Sequence, residues 1–243
     1  MKDITGLIGR EDLIDKALRE IKKGRHLILT GPVGVGKSAL LATLLERLAR
    51  RRGERSPGDG EADDVPSDAE TGDEQNHHGH ERTRRTQTVI HIADHQPKAQ
   101  FVDIARKLLA VGLIEPAALE LPEEYHYLPP ELIEWSRIRR QVNRLSMRDL
   151  TAAIIPALHD HPGKVIIAVD DMTSLTPTLV AFWLAVFEVA QVIGCAHQKK
   201  ANVSKLWWKM TEIPMPPLTP EATREIVQAY IARQGMLIES PGL

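Results

Sequence analysis

What the sequence lacks narrows it first. A single cysteine, Cys195, stands among 243 residues, so no disulfide can form within the chain, and a reducing, cytoplasmic setting is expected. No excess of one charge sign is present: the formal net charge is −2, which argues against a surface given over wholly to nucleic acid and leaves room for local basic patches. The opening residues, MKDITGLIGRED, are polar and broken by glycine, so no secretory leader is expected. Internal repeats are missing too. Only one long apolar run occurs, Thr178 to Ala196, with Glu188 as its single charge. Its length is near the lower limit for crossing a bilayer. Because Glu188 and Gln191 fall inside it and a buried strand precedes it, a packed helix followed by a strand, VAQVIGCA, is expected instead of a membrane span.

What is there reads as alternating strands and helices. Apolar residues at 13, 14, 17, 18 and 21 have helical spacing, and Gly24 is a natural stop. The strand HLILTG follows, then a helix from Lys37 to Arg52 with Leu40, Leu41, Leu44, Leu45 and Leu48 on one side. Between Gly53 and Asn76 there are nine acids, one base and one large apolar residue, Val65. Such a stretch buries too little surface to offset its ordering entropy, so 53–87 is expected to be a disordered insertion. His77, His78 and His80 within it suggest metal ligation, but no cysteine or periodic carboxylate frames them. Order is expected again in the strand TVIHIAD, Thr88 to Asp94, and the helix FVDIARKLLAVGL. The region 115–135 has no clear period, and Glu131 to His159 is predicted to be helical. Lys164 to Val169, KVIIAV, has the continuous apolar character of a strand buried on both faces. The segment TEIPMPPL reads as a further strand. Thr219 then caps a helix with Pro220 at its first position and Gly235 at its end. The whole predicts an α/β, three-layer fold around a mainly parallel sheet.

Gly31-Pro-Val-Gly-Val-Gly-Lys-Ser38 fits G-x-x-x-x-G-K-[ST] at every fixed position, between a predicted strand and a predicted helix. Its glycines let the backbone curl so that N–H groups converge on phosphate oxygens, and the helix start adds its positive dipole end. The expected phosphate cradle is Gly31, Pro32, Val33, Gly34, Val35, Gly36, Lys37, Ser38 and Ala39. Lys37 would reach the β and γ phosphates of ATP, and Ser38 would ligate Mg²⁺. Such a cation also needs a carboxylate at the end of a neighbouring strand, and Asp170, directly after KVIIAV, supplies it. Asp171 could orient or deprotonate an attacking water; the other reading of Asp171 is a helix cap for a segment starting near Met172.

Together GLIGRE (Gly6 to Glu11), the glycine loop, VIIAVDD and IPMPPLTPEATREIVQAYI resemble the core of an AAA+ or STAND-type P-loop ATPase over most of 4–234. The resemblance implies a P-loop NTPase core over 1–218 and the start of a helical lid over 219–243, the lid being either vestigial or cut short. It implies that Ile8, Gly9 and Arg10 lie near the base, although IGRE by itself is only a short link before a helix. It also implies a γ-phosphate sensor after the strand VAQVIGCA. His197 is the nearest polar residue there, followed by Gln198, Lys199, Lys200, Ala201 and Asn202. Two departures matter. Asp171 stands where AAA+ proteins place Glu, and the lid's arginine sensor is doubtful, with Arg224 the available substitute.

Arg137, Arg140, Arg144 and Arg148 are spaced three or four residues apart, with Arg139 nearby. On one helix they would form a stripe able to touch DNA or a neighbouring subunit's nucleotide, or simply a solvated face. Adjacent Trp207 and Trp208 are expected to pack at the sheet edge. The function expected is a Mg²⁺-dependent ATPase acting as a switch or remodelling engine, with self-association or a protein partner. The alternatives are a hydrolysis-deficient ATP-binding interaction module and a small-molecule phosphotransferase.

Overall fold

The computed structural model describes residues 9–53, 87–93, 96–161, 163–173, 175–197 and 204–234. The expectations for Ile8, for the insertion apart from its end residues, for His77, His78 and His80, for 198–202 and for Gly235 lie outside these residues. Helix α1 (Glu11–Lys22) leads to β1 (His26–Thr30) and α2 (Lys37–Gly53). Strand β2 (Gln87–Ile92), α3 (Pro97–Ala110), three single 3₁₀ turns between Pro116 and Leu132, α4 (Trp135–Val142) and α5 (Met147–His159) follow. The chain continues through β3 (Lys164–Val169), α6 (Pro177–Val189), β4 (Gln191–Ala196), α7 (Ser204–Trp207), β5 (Met210–Pro214) and α8 (Pro220–Gln234).

The five strands form one sheet in the order β2-β3-β4-β1-β5, every pair parallel. Alternation along β3 explains its unbroken apolar run. Val165, Ile167 and Val169 face a core shared with α3, α5 and α6, while Ile166 and Ala168 face a second core with α1 and α2. Both faces are therefore covered, as parallel sheets require. Leu40, Leu41 and Leu44 of α2 are fully buried, and they fix that helix against β1 and β4.

Three expectations change. β3 is not the neighbour of β1, because β4 pairs with both and stands between them. The helix expected over Glu131 to His159 is two helices, separated at Asn143–Ser146. Ser146 ends the break by a capping box with Asp149, its side chain accepting from Asp149 N and Asp149 accepting from Ser146 N. The apolar run Thr178–Ala196 is, as expected, a helix followed by a strand, α6 and β4, and among the described residues no helix is long and apolar enough to cross a membrane. The third change concerns the tryptophans: Trp207 is buried in the core as expected, but Trp208 is 83% exposed, because adjacent residues in one short turn point to different sides.

Candidate functional site

Strand β1 delivers the chain into the glycine loop at the C-terminal edge of the sheet. Thr30 Oγ1 donates to Glu212 Oε1 at 2.7 Å, and Met215 N donates to Thr30 O at 2.7 Å. The β5 segment is thus held hard against the loop's first residue. A Cβ on Gly31 would stand 2.6 Å from Met215 O, so a side chain there has no room. Gly34 and Gly36 have φ of 78° and 89°, in the left-handed region that glycine reaches without strain. Val35 is buried and anchors the loop in the α1–α2 core, while Pro32, Val33 and Gly34 project into solvent.

Lys37 begins α2 and is only 6% exposed. Its Nζ donates to Gly31 O at 2.8 Å and Pro32 O at 2.7 Å. Burial pushes the ammonium below its ordinary pKa, with the Asp171 carboxylate acting in the opposite direction. Ser38 is exposed on the first helical turn and Ala39 is half-buried. The result is a buried cation and a helix start at the mouth of a loop whose backbone can turn inward, which is an anion-binding arrangement.

The end of β3 supplies the acids. Asp170 N donates to Ile92 O at 3.0 Å, continuing the β2–β3 ladder past the strand ends. Its Oδ1 is buried without a hydrogen-bond partner, and its Oδ2 lies 3.4 Å from His91 Nε2. His91 was not singled out in the sequence. The available signal was a lone titratable residue in an apolar strand, on the opposite face from Ile90 and Ile92. Lys107 Nζ donates to the His91 carbonyl and also pairs with Asp103 at 2.8 Å, so α3 fixes the strand that carries the imidazole.

Asp171 does not cap a helix. Its Oδ1 accepts from Thr173 N at 2.7 Å, closing a turn, and α6 begins only at Pro177 with Thr176 as its cap. Met172 N donates to Cys195 O at 2.7 Å and His197 N donates to Thr173 Oγ1 at 3.0 Å. The ends of β3 and β4 are knitted together by these bonds, with the His197 side chain exposed. Cys195 lies buried beneath; burial first, then Asp170, push its thiol up to about 12, so it stays a neutral packing residue.

Gly9 and Arg10 sit on the β5 flank. Gly9 has φ of 76°, and a Cβ there would touch Ala222 of α8 at 3.6 Å. Arg10 is 5% exposed, and its guanidinium donates to Pro216 O at 3.1 Å while the other terminal nitrogen has no partner. Burial holds it below the usual arginine pKa. The N-terminal segment and the start of α8 are thus tied to the same β5 exit. Arg224 is exposed.

The structure therefore brings Gly31–Ala39, Asp170, Asp171 and His197 to one edge of the sheet, with Gly9 and Arg10 beside them. It does not bring the arginines there. Arg137 and Arg140 lie on α4, Arg144 in the break and Arg148 on α5, in the layer opposite α2, so they form no single helical stripe. Among the described residues no group of three or more His, Cys, Asp or Glu is placed to hold a metal unaided.

The family described as AAA domain matches residues 19–203. No curated protein matches the chain. Among solved structures, the chain is similar to domain III of the replication initiation protein DnaA from Thermotoga maritima. The TM-score is 0.50 at 11% identity, covering 99% of this chain and 78% of that one. It is similar also to a Walker-type ATPase of Pyrococcus abyssi, with a TM-score of 0.47, 11% identity and 95% of this chain covered. A third likeness is to PCH-2 of C. elegans, with a TM-score of 0.48, 12% identity and 97% of this chain covered. The chain spans 60% and 52% of the length of these last two.

Proposed function

This chain belongs to the AAA domain family, and from that premise we propose that it binds ATP with Mg²⁺ at the Gly31–Ala39 loop and hydrolyses it as a switch or remodelling ATPase. The observation that carries the reading is the occurrence at one edge of the sheet of both Lys37, a buried cation at the loop's mouth, and Asp170, whose buried Oδ1 lacks a hydrogen-bond partner. Buried polar atoms without partners are uncommon and call for a ligand or water.

The donor set suits a hard divalent cation: one hydroxyl, Ser38, and one carboxylate, Asp170, with phosphate oxygens completing the shell. When bound, the cation would offset charge developing on the phosphates. Everything else falls to the chain's own groups. The N–H groups of the loop cradle the phosphates, and Lys37 exchanges its two carbonyl partners for phosphate oxygens. Asp171, held in its turn by Thr173 N, orients the attacking water and accepts its proton at the carboxylate. Gly9 and Arg10 lie along the base side, and α8, opening the 219–243 lid segment, connects to them through Ala222. His197, at the end of β4, faces the γ-phosphate side.

A second reading, a nucleotide-binding module without hydrolysis, draws on the exposed His197 side chain, which no described contact holds in a sensing pose. Self-association belongs to the proposal as well; DNA contact through Arg137, Arg140, Arg144 and Arg148 is the weaker part of it, since those residues are divided between α4, the break and α5.

Equilibrium titration of the purified chain with a fluorescent ATP analogue, with and without Mg²⁺, tests the binding half directly. Saturable, Mg²⁺-enhanced binding that Lys37→Ala removes is the expected result. Equal binding by the native chain and the variant would contradict the proposal.

A further inference from the structure

The region 115–135, which the sequence leaves without a period, is an ordered projection with an unusual surface. Ile114, Leu119 and Leu121 are buried in the main core. His126 Nε2 bonds Leu121 O at 2.8 Å, and Gln141 Nε2 donates to Glu120 O at 2.7 Å, so the loop is held firmly at its base. Its outer side carries Glu115, Glu120, Glu123, Glu124, Glu131 and Glu134, all exposed, and no lysine or arginine occurs from Leu108 to Ser136.

Apolar exposure gathers at the same place. Seven large hydrophobic side chains are exposed among the described residues, and four of them, Val111, Tyr127, Leu128 and Leu132, fall here. They are linked in space as well as in sequence, since a Cβ on Gly112, next to Val111, would meet Pro130 Cγ at 3.3 Å. Clustered exposed apolar side chains ringed by one charge sign mark an interaction surface.

The complementary surface borders it directly. Arg137, Arg139, Arg140, Arg144 and Arg148 are all exposed on α4, the break and the first turn of α5. Of these, Arg137 pairs with Glu134 at 2.8 Å, at the seam between the two patches. Asp149, in the first turn of α5, is engaged in the Ser146 capping box.

We infer that this face pairs with a second copy of the same chain about a two-fold axis, the acidic, apolar projection of each protomer lying on the arginine face of the other. Adjacent patches of opposite sign on one surface are self-complementary in that arrangement, because each contact is made twice. Tyr127, Leu128 and Leu132 supply the apolar centre, and the charges set register and encounter rate. The inference rests on this surface alone and not on the ATPase reading.

Sedimentation velocity over a protein concentration series, at low and high salt, tests it with two charge-reversed variants of the full chain. One is Glu123→Lys with Glu124→Lys, and the other is Arg139→Glu with Arg140→Glu. The native chain is expected to dimerise with rising concentration, more weakly at high salt. Each variant alone is expected to sediment as a monomer, and an equimolar mixture is expected to recover the dimer, since the reversed positions of one variant then meet the reversed positions of the other with opposite sign. A native chain that stays monomeric at every concentration overturns the pairing; if that monomer binds poly-lysine through Glu123 and Glu124, the surface serves a basic partner instead. Variants that dimerise like the native chain, or that fail to recover on mixing, overturn it equally.

Discussion

His91 Nε2 faces Asp170 Oδ2 across 3.4 Å, from the edge strand β2 to the end of β3. A shift of a few tenths of an ångström brings that pair into hydrogen-bond range, with Oδ1 left buried and without a hydrogen-bond partner. On this account the imidazole fixes the carboxylate's rotamer. His91→Ala is expected to weaken the Mg²⁺ dependence of nucleotide binding about tenfold. His91→Gln, whose amide N–H reaches as far as Nε2, should restore most of it. Mg²⁺ titrations of fluorescent nucleotide binding read both, and equal losses in the two variants would show that the ring matters only for packing.

Gly31→Ala is a steric test of the loop's entry. The new methyl would press on Met215 O, the carbonyl of a residue whose N–H donates to Thr30 O. Since neither strand can yield cheaply, a loss of about 1–3 kcal/mol in stability is expected, together with loss of nucleotide binding. Urea unfolding followed by circular dichroism measures the first; unchanged stability would mean that the β5 exit is softer than its hydrogen bonds imply.

The two acids should separate in kinetics. Asp170→Asn removes the charge offered to the cation and should shift the Mg²⁺ requirement upward. Asp171→Asn keeps an oxygen for Thr173 N and so preserves the turn, while removing the proton acceptor. Turnover should fall about a hundredfold with binding intact. Comparing Mg²⁺ half-saturation and turnover number for each variant decides the assignment, and unchanged turnover in Asp171→Asn would leave that residue a turn former only.

Ser146→Ala should cost about 1 kcal/mol through loss of the α5 cap. The cap is also sensitive to pH. Hydrogen bonds from the Ser146 side chain and backbone hold the Asp149 carboxyl below its usual range, so folding favours its ionised form. That contribution is fully present above the unfolded pKa of about 3.9 and is lost as pH falls through the lower folded value. The stability gap between the native chain and Ser146→Ala should therefore narrow on acidification. Thermal melts across that range would show it, and a constant gap would exclude the Asp149 half of the box.

The parts of the site legible in the sequence are those made by contiguous residues. The glycine loop announces itself because φ, close approach and phosphate chemistry all constrain one run of eight positions, and Asp170 because it ends an apolar run with no other exit. Strand order was not legible: β4 enters between β1 and β3 from later in the chain, and no local pattern records which strand a hydrogen bond will choose. His91 escaped for the same reason, since its meaning depends on β2 lying beside β3. The break before α5 was available in Ser146-Met-Arg-Asp149, a capping-box spacing, but helical arginine spacing across it suggested continuity. Ile8 and residues 198–203 fall outside the described residues.

The most direct measurement is steady-state hydrolysis of ATP by the full chain with Mg²⁺, beside Lys37→Ala and Asp171→Asn. The account predicts turnover by the native chain, none without Mg²⁺, loss of both binding and turnover in Lys37→Ala, and binding without efficient turnover in Asp171→Asn. ATP bound tightly by the native chain yet never hydrolysed would contradict the ATPase assignment and leave a nucleotide-binding module in its place.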